Sequence, residues 1–267
     1  MANQIKQLKQ TWRLCSSVAN AFKGKIRTTL GIRKPTKTCQ IPELKRIVDE
    51  TFPEDERGVF VEVGAYDGER FSNTSWLADA GWRGLYVEPS KQFSRWCRLR
   101  HMLNRVTVLN VAAGNENTSA TLQQIGSLST MSQATFEEYD RIDWAKQQIA
   151  KECKQQQTEV LKLDKILADQ KIPEAFDVLV VDVEGYEENV FSGFSLAQWK
   201  PKLIIVELCD IHPDFQDNLE LVESAGRVRQ TILAAGYREK YSDSINTVFE
   251  VDAASSCSES KDSRIAA

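Results

Sequence analysis

The sequence predicts an α/β fold with a mainly parallel, doubly wound sheet and a terminal antiparallel hairpin. Three observations predict it. Apolar runs of strand length alternate with helix-like segments between about residues 40 and 251. Two of those runs, 176–182 and 203–208, are apolar almost throughout, as strands covered on both faces are. The run 59–63 leads into a glycine-bearing turn, and the next strand ends in an acid, Glu88, 24 residues beyond Gly64. That is the spacing of a βαβ nucleotide-binding unit, in which the second acid accepts hydrogen bonds from ribose hydroxyls.

In chain order, residues 42–51 read as a short helix leading into the strand at 59–63. A helix near 72–80, a strand at 84–88 and a helix at 90–103 opened by Ser90 follow. The strand expected at 106–111 runs into Ala112-Ala113-Gly114. Residues 218–235 read as a helix ending at Gly236, and 237–241 with 245–251 as a hairpin around Asp243-Ser244. Residues 116–160 break the alternation, with a possible strand at 119–125, a Ser/Thr-rich turn and a Gln-rich, helix-like run at 135–157. An insertion there would sit at the strand tips and cover the substrate. The Ser-rich tail, 253–267, is expected to be disordered.

The 267 residues accommodate one α/β domain of about 200 residues, taken as 38–252, plus a modest appendage. The net charge of −4 hides an asymmetry. Residues 1–37 hold nine Lys or Arg and no acid, leaving 25 basic against 38 acidic residues, or −13, in the remainder. Nucleic acid is therefore not an expected partner of the main body. Six scattered cysteines without metal-like spacing read as reduced thiols, and the expected location is cytoplasmic. No apolar run is long enough to span a membrane, and no uninterrupted apolar signal segment opens the chain.

The leader, 1–37, is a basic amphipathic helix by pattern. Ile5, Leu8, Trp12, Cys15, Ala19, Phe22 and Ile26 recur at alternating steps of three and four, with Lys6, Lys9, Arg13, Lys23 and Arg27 on other faces. Two readings fit: peripheral contact with an anionic membrane, or packing of the stripe on the domain or on a second subunit.

The turn after 59–63 is acidic, E-x-G-x-x-x-G, and Ala65 and Asp67 interrupt the dinucleotide fingerprint. Such a turn suits a cationic or zwitterionic nucleoside better than a pyrophosphate, and S-adenosylmethionine fits that description. The resemblance then becomes specific. The segments 60–68 (FVEVGAYDG), 81–89 (GWRGLYVEP), 110–114 (NVAAG) and 182–187 (DVEGYE), with 163–167 (LDKIL) and 205–208 (IVEL), resemble the FkbM-type methyltransferases over about 57–251. The resemblance implies a Rossmann-like methyltransferase fold and S-adenosylmethionine-dependent O-methylation, often of a sugar or other natural-product hydroxyl, with a small-molecule or glycan acceptor.

Candidate cofactor contacts are Glu62, Gly64, Asp67, Gly68, Glu88, Ala112, Ala113 and Asp182. Glu62 and Gly64 sit where this fold meets the methionine end of the cofactor. Small residues at 112 and 113 leave room for adenine, or serve ordinary packing. Asp182 and Glu184 are candidate catalytic groups, one orienting the acceptor and the other taking its proton; Asp182 could instead position cofactor or loop, and Glu187 could be a solvated charge at a helix start. His212 is a candidate general base or substrate ligand, while His101 is expected to be structural. No metal is assigned, although Asp182, Glu207 and His212 could gather one. Ser127, Ser129 and Thr130 read either as a loop near adenine or acceptor, or as a polar surface. A catalytically idle membrane adaptor and an NAD-binding oxidoreductase are the alternative functions.

Overall fold

The computed structural model describes the backbone of residues 2–252 and the side chains of 11–252 except Cys209. The tail at 253–267, and the side chains of Ile5, Lys6, Leu8 and Lys9, lie outside the described residues.

A 28-residue helix, α1 (Ala2–Thr29), precedes α2 (Leu44–Thr51) and the first strand, β1 (Val59–Val63). Then come α3 (Ser75–Asp79), β2 (Arg83–Val87), α4 (Lys91–Arg100) and β3 (Val106–Leu109). Ser90 caps α4 by accepting from the Phe93 N–H, as the sequence predicts. After β4 (Ala112–Gly114), the insertion supplies β5 (Thr118–Gln124), α5 (Gln133–Arg141), α6 (Asp143–Glu152) and most of β6 (Lys154–Lys162). The chain returns through α7 (Leu163–Asp169), β7 (Val178–Val181), α8 (Glu187–Ser192), α9 (Leu196–Trp199) and β8 (Leu203–Glu207). Helix α10 (Leu219–Ala234) and the hairpin β9 (Tyr237–Ser242) with β10 (Asn246–Val251) complete it.

Seven strands form the main sheet in the order β3-β2-β1-β7-β8-β10-β9. The first five are parallel, and β10 is antiparallel to both β8 and β9. Alternation along each strand sends side chains to two cores. Val61, Val63, Leu179, Val181 and Ile204 join the core containing Ile166, Val190 and Ile232 of α7, α8 and α10. Phe60, Tyr86, Val178, Val180 and Ile205 join Leu44, Ile47, Trp76 and Leu77 on the other face. The expected α/β sheet with its terminal hairpin is therefore present.

Two expected elements differ. The Gln-rich run is not one helix to 157: it breaks at Ile142, and Lys154–Lys162 is a strand. Gln155, Gln156 and Gln157 pair with Gln123, Leu122 and Thr121 of β5, so cross-strand pairing overrides glutamine's helix propensity. The strand expected at 106–111 is split at Asn110, whose side-chain amide donates to the carbonyls of Glu88 (2.9 Å) and Pro89 (2.8 Å). Its second half, β4, joins β6 and β5 in a small separate sheet.

Helix α1 docks on α3 and α4 through small residues. Ala21 and Gly24 are buried, and a Cβ on Gly24 would fall 2.2 Å from Asp79 Oδ1. Thr28 donates to the Asp79 carbonyl, and the Arg13 guanidinium lies 4.9 Å from the Trp96 ring centre. Beneath this contact Arg100, 2% exposed, donates to both oxygens of Asp79 (3.0 and 2.7 Å), to Ser75 (3.1 Å) and to Glu69. Breaking a buried pair from one side strands the other charge. Arg100→Ala should therefore cost about 3–5 kcal/mol in urea unfolding. A loss below about 1 kcal/mol would show that the pair is hydrated, not structural.

Candidate functional site

A cavity with about 790 Å³ of free space, counting its open mouth, lies where β1, β2, β4 and β7 end. This is the point at which the parallel strand order reverses between β1 and β7, the usual crevice for ligands in open α/β sheets.

The turn after β1 forms one wall. Gly64 has φ +89°, and a Cβ there would stand 1.6 Å from the Asp182 carbonyl oxygen. Only glycine permits both the backbone conformation and this approach between the tips of β1 and β7. Glu88, 5% exposed, holds the same turn: its carboxylate accepts from the backbone N–H groups of Tyr66 and Ser90, both at 2.8 Å. Burial raises its pKa to about 8, against the pull of those two donors. Glu62, also buried, accepts from the hydroxyls of Ser72 (2.9 Å) and Thr74, and burial raises it to about 7.

The insertion builds the opposite wall. Ala112 and Ala113 of β4 line the cavity, as do Leu122, Gly126, Ser127, Ser129 and Met131. Phe93 completes the side near Glu88, with its ring 4.4 Å from that of Tyr66. Gln156 pins the insertion to the β2–α4 loop, accepting from the Lys91 N–H (3.1 Å) and donating to the Pro89 carbonyl (2.8 Å).

At the tips of β7 and β8 acids gather, of which Asp182 and Glu184 reach the cavity. Asp182, Glu184 and Glu207 each offer an oxygen, all within 4.8 Å of one another. Asp182 and Glu207 stand close enough for the protonation of each to depend on the other. Burial raises all three, Glu184 and Glu207 well above the usual carboxylate range. Tyr139 of α5 donates to the Glu184 carboxylate, and Thr130 donates to its carbonyl at 2.8 Å. Glu187 is not a solvated charge: it is 7% exposed and accepts from the N–H groups of Val183 (3.0 Å) and Gly185 (3.2 Å). The three clustered oxygens could also hold a divalent cation.

The structure thus brings Glu62, Gly64, Glu88, Ala112, Ala113, Asp182 and Glu184 to one cavity. Asp67 and Gly68 are not in its wall. Asp67 caps its own turn, accepting from the N–H groups of Glu69 and Arg70, and Gly68 packs against Cys97 and His101. His212 is also displaced from the site. Its Nδ1 accepts from the Asp214 N–H, opening a short 3-10 turn, and its ring packs on Phe215, so Glu184 takes its place beside Asp182 and Glu207. His101 is buried and neutral, driven down to about 3 chiefly by burial, with Nε2 2.7 Å from the Gly68 carbonyl. Ser127 and Ser129 reach the wall; Thr130 instead braces Glu184. Sequence reading missed Tyr139, Phe93, Arg70 and Met131. Phe93 carried a signal, as the first-turn aromatic three residues past the Ser90 cap, whereas Tyr139 meets Glu184 only through the folding of the insertion.

The donor set fits S-adenosylmethionine. Four carboxyl groups, Glu62, Glu88, Asp182 and Glu184, share the wall with one cation, Arg70; burial favours their neutral forms, and a positively charged ligand would favour the ionised ones. Glu88 lies at the strand tip that suits ribose hydroxyls, and the alanines with Phe93 leave an apolar slot for a base.

Two predictions follow from the buried acids and the close turn. The folded chain retains protons on Glu62, Glu88 and Glu187 (to about 7, 8 and 7) that the unfolded chain releases near pH 4.5. Their contribution is full below about pH 4.5 and lost as pH rises through 7–8. Without ligand, Tm should fall by about 5 °C or more between pH 5 and 8.5, and Glu88→Gln should flatten that slope. A Tm that rises over this interval refutes the assignment. Gly64→Ala should abolish soluble expression or cost more than about 3 kcal/mol, read by the same melts.

Among solved structures, the methyltransferase FkbM of Methylobacillus flagellatus KT is similar at 16% identity and TM-score 0.43. The match covers 73% of this chain and 43% of that one, so this chain spans under half its length. The O-methyltransferase of Bacillus cereus, in complex with SAH, matches at 16% identity and TM-score 0.47, over 88% of this chain and 90% of that one. The O-methyltransferase TomG of Streptomyces achromogenes, in complex with SAM, matches at 11% and 0.47, over 87% and 89%. A search of the curated proteins found no significant match. The family model for the methyltransferase FkbM domain matches residues 62–239, about two thirds of the 267.

Proposed function

The chain belongs to the FkbM family of S-adenosylmethionine-dependent methyltransferases, and from that premise we propose that it methylates a hydroxyl oxygen on a sugar or glycan-like acceptor. S-adenosylmethionine supplies a methyl group on a sulfonium, open to in-line displacement by an oxygen nucleophile. In this reading Glu88 accepts from the ribose hydroxyls, Ala112 and Ala113 flank the base, and Glu62 with Asp182 serves the cationic end.

The observation that carries the proposal is the acid group at the β7 and β8 tips. An alcohol must lose its proton as the ether forms, and it is a weak nucleophile until a base accepts that proton. Glu184 faces the cavity, and in its charged form it can take the hydroxyl proton; burial raises its pKa, so the base form gains as pH rises. Tyr139 and Thr130 fix its position, and Asp182 beside it can orient the hydroxyl. Hydroxyl-rich acceptors suit a wall that offers carboxylates, Ser127 and Ser129, whereas a single wall cation disfavours strongly anionic ones.

The test is calorimetric titration with S-adenosylhomocysteine, beside NAD and the Glu88→Ala variant, then labelled methyl transfer to a panel of glycosides, amines and carboxylates. Micromolar binding lost in Glu88→Ala, no NAD signal, and label on glycoside hydroxyls is the expected result. Glu184→Gln should lower kcat by about 10²–10⁴ with S-adenosylhomocysteine affinity unchanged. Label only on amines or carboxylates overturns hydroxyl methylation. No S-adenosylhomocysteine binding by the folded chain brings the idle-adaptor alternative forward.

A further inference from the structure

The apolar stripe of α1 faces away from the protein. Trp12 is 71% exposed, Phe22 55% and Ile26 58%, and Cys15 and Ala19 are exposed with them. On a helix of about 100° per residue these five positions fall within an arc of about 80°. Ala21 and Gly24, with Ser17 and Thr28 half-buried, occupy the opposite side and make the contact with α3 and α4. An amphipathic helix ordinarily turns its apolar stripe to the core. Here the core side is small and closely docked, and the large apolar residues are left outside.

We propose that α1 is a bilayer-docking element that lies on an anionic lipid surface, with Trp12, Phe22 and Ile26 entering the headgroup–acyl boundary. Charge selects this occupant. The exposed Lys23 and Lys25 flank the stripe on either side, and residues 1–37 hold nine basic residues and no acid. Lysines in that position keep their stems along the apolar boundary and their ammonium groups at the phosphates. A second copy laid face to face would bring the same positive charges together. The patch continues past the helix through Leu30, 67% exposed, and Ile32, 41% exposed. Among the described residues no helix is long and apolar enough to cross a membrane, so the contact is one of lying on the surface.

The side of α1 opposite the stripe is fixed to the body of the fold. Helix α1 runs alongside α4, with Arg13 over Trp96 and Gly24 against Asp79, the partner of Arg100. The inference does not depend on which acceptor is methylated.

Sedimentation of the full chain with phosphatidylcholine vesicles, alone and with about one third phosphatidylserine, tests it. Binding is expected to the anionic vesicles only, and to weaken steeply with salt. Lys23→Ala/Lys25→Ala should weaken it about thirtyfold. Trp12→Ser/Phe22→Ser should abolish it while the thermal midpoint stays unchanged, which separates lost docking from lost fold. No binding to anionic vesicles at low salt overturns the proposal, as does undiminished binding by Trp12→Ser/Phe22→Ser. A dimer in light scattering that this variant dissociates, without vesicle binding, would assign the face to a second copy and overturn it equally.

Discussion

Acids stand at or just beyond the ends of four neighbouring parallel strands, and the fold is arranged around the cost of keeping them there. Glu62 lies on β1, Glu88 follows β2, Asp182 follows β7 and Glu207 ends β8. Buried carboxylates require donors, protons or a cation. The surrounding loops answer that requirement one by one. Ser72 and Thr74 serve Glu62, the N–H groups of Tyr66 and Ser90 serve Glu88, and Tyr139 serves Glu184 beside Asp182 and Glu207. Loop shape is thus set by acid chemistry as much as by chain reversal.

The same requirement explains why the insertion is more than decoration. Its Tyr139 and Thr130 hold Glu184, a residue kept at φ 56°, where a non-glycine side chain is uncommon. With β4, its residues Gly126, Ser127 and Ser129 provide the cavity's far wall, and Gln156 ties it to the loop after Glu88. One segment therefore touches both the loop after Glu88 and Glu184 in the acid group beyond β7.

Much of this was legible in the chain. The β1, β2, β7 and β8 runs are apolar enough to be read directly, and the acids that follow them stand at fixed places because strand length and turn length are short. What was hidden depends on pairing between distant segments. Nothing local tells Gln155–Gln157 to extend; the ladder with Thr121–Gln123 does. Asp67 and His212 were misplaced for one reason: each is a polar side chain near a strand tip, and each is consumed by a local backbone donor. Proximity in sequence to a site does not aim a side chain into it. The leader's stripe shows the converse, since a regular apolar period reveals a helix but not which face the protein keeps.

The strand order also has a consequence for how the chain is made. Strand β1 gains its second neighbour only when β7 exists, with Phe60 paired to Val178 across 118 residues. Until that stretch leaves the ribosome, β3-β2-β1 is a half-sheet whose innermost strand is an open edge, and its Val59–Val63 run is apolar at every position but Glu62. Strand β8 waits longer still, for β10 at 246–251. A nascent chain of this topology therefore carries an adhesive edge through most of its synthesis, and the hazard of misassembly is concentrated there rather than in the finished molecule.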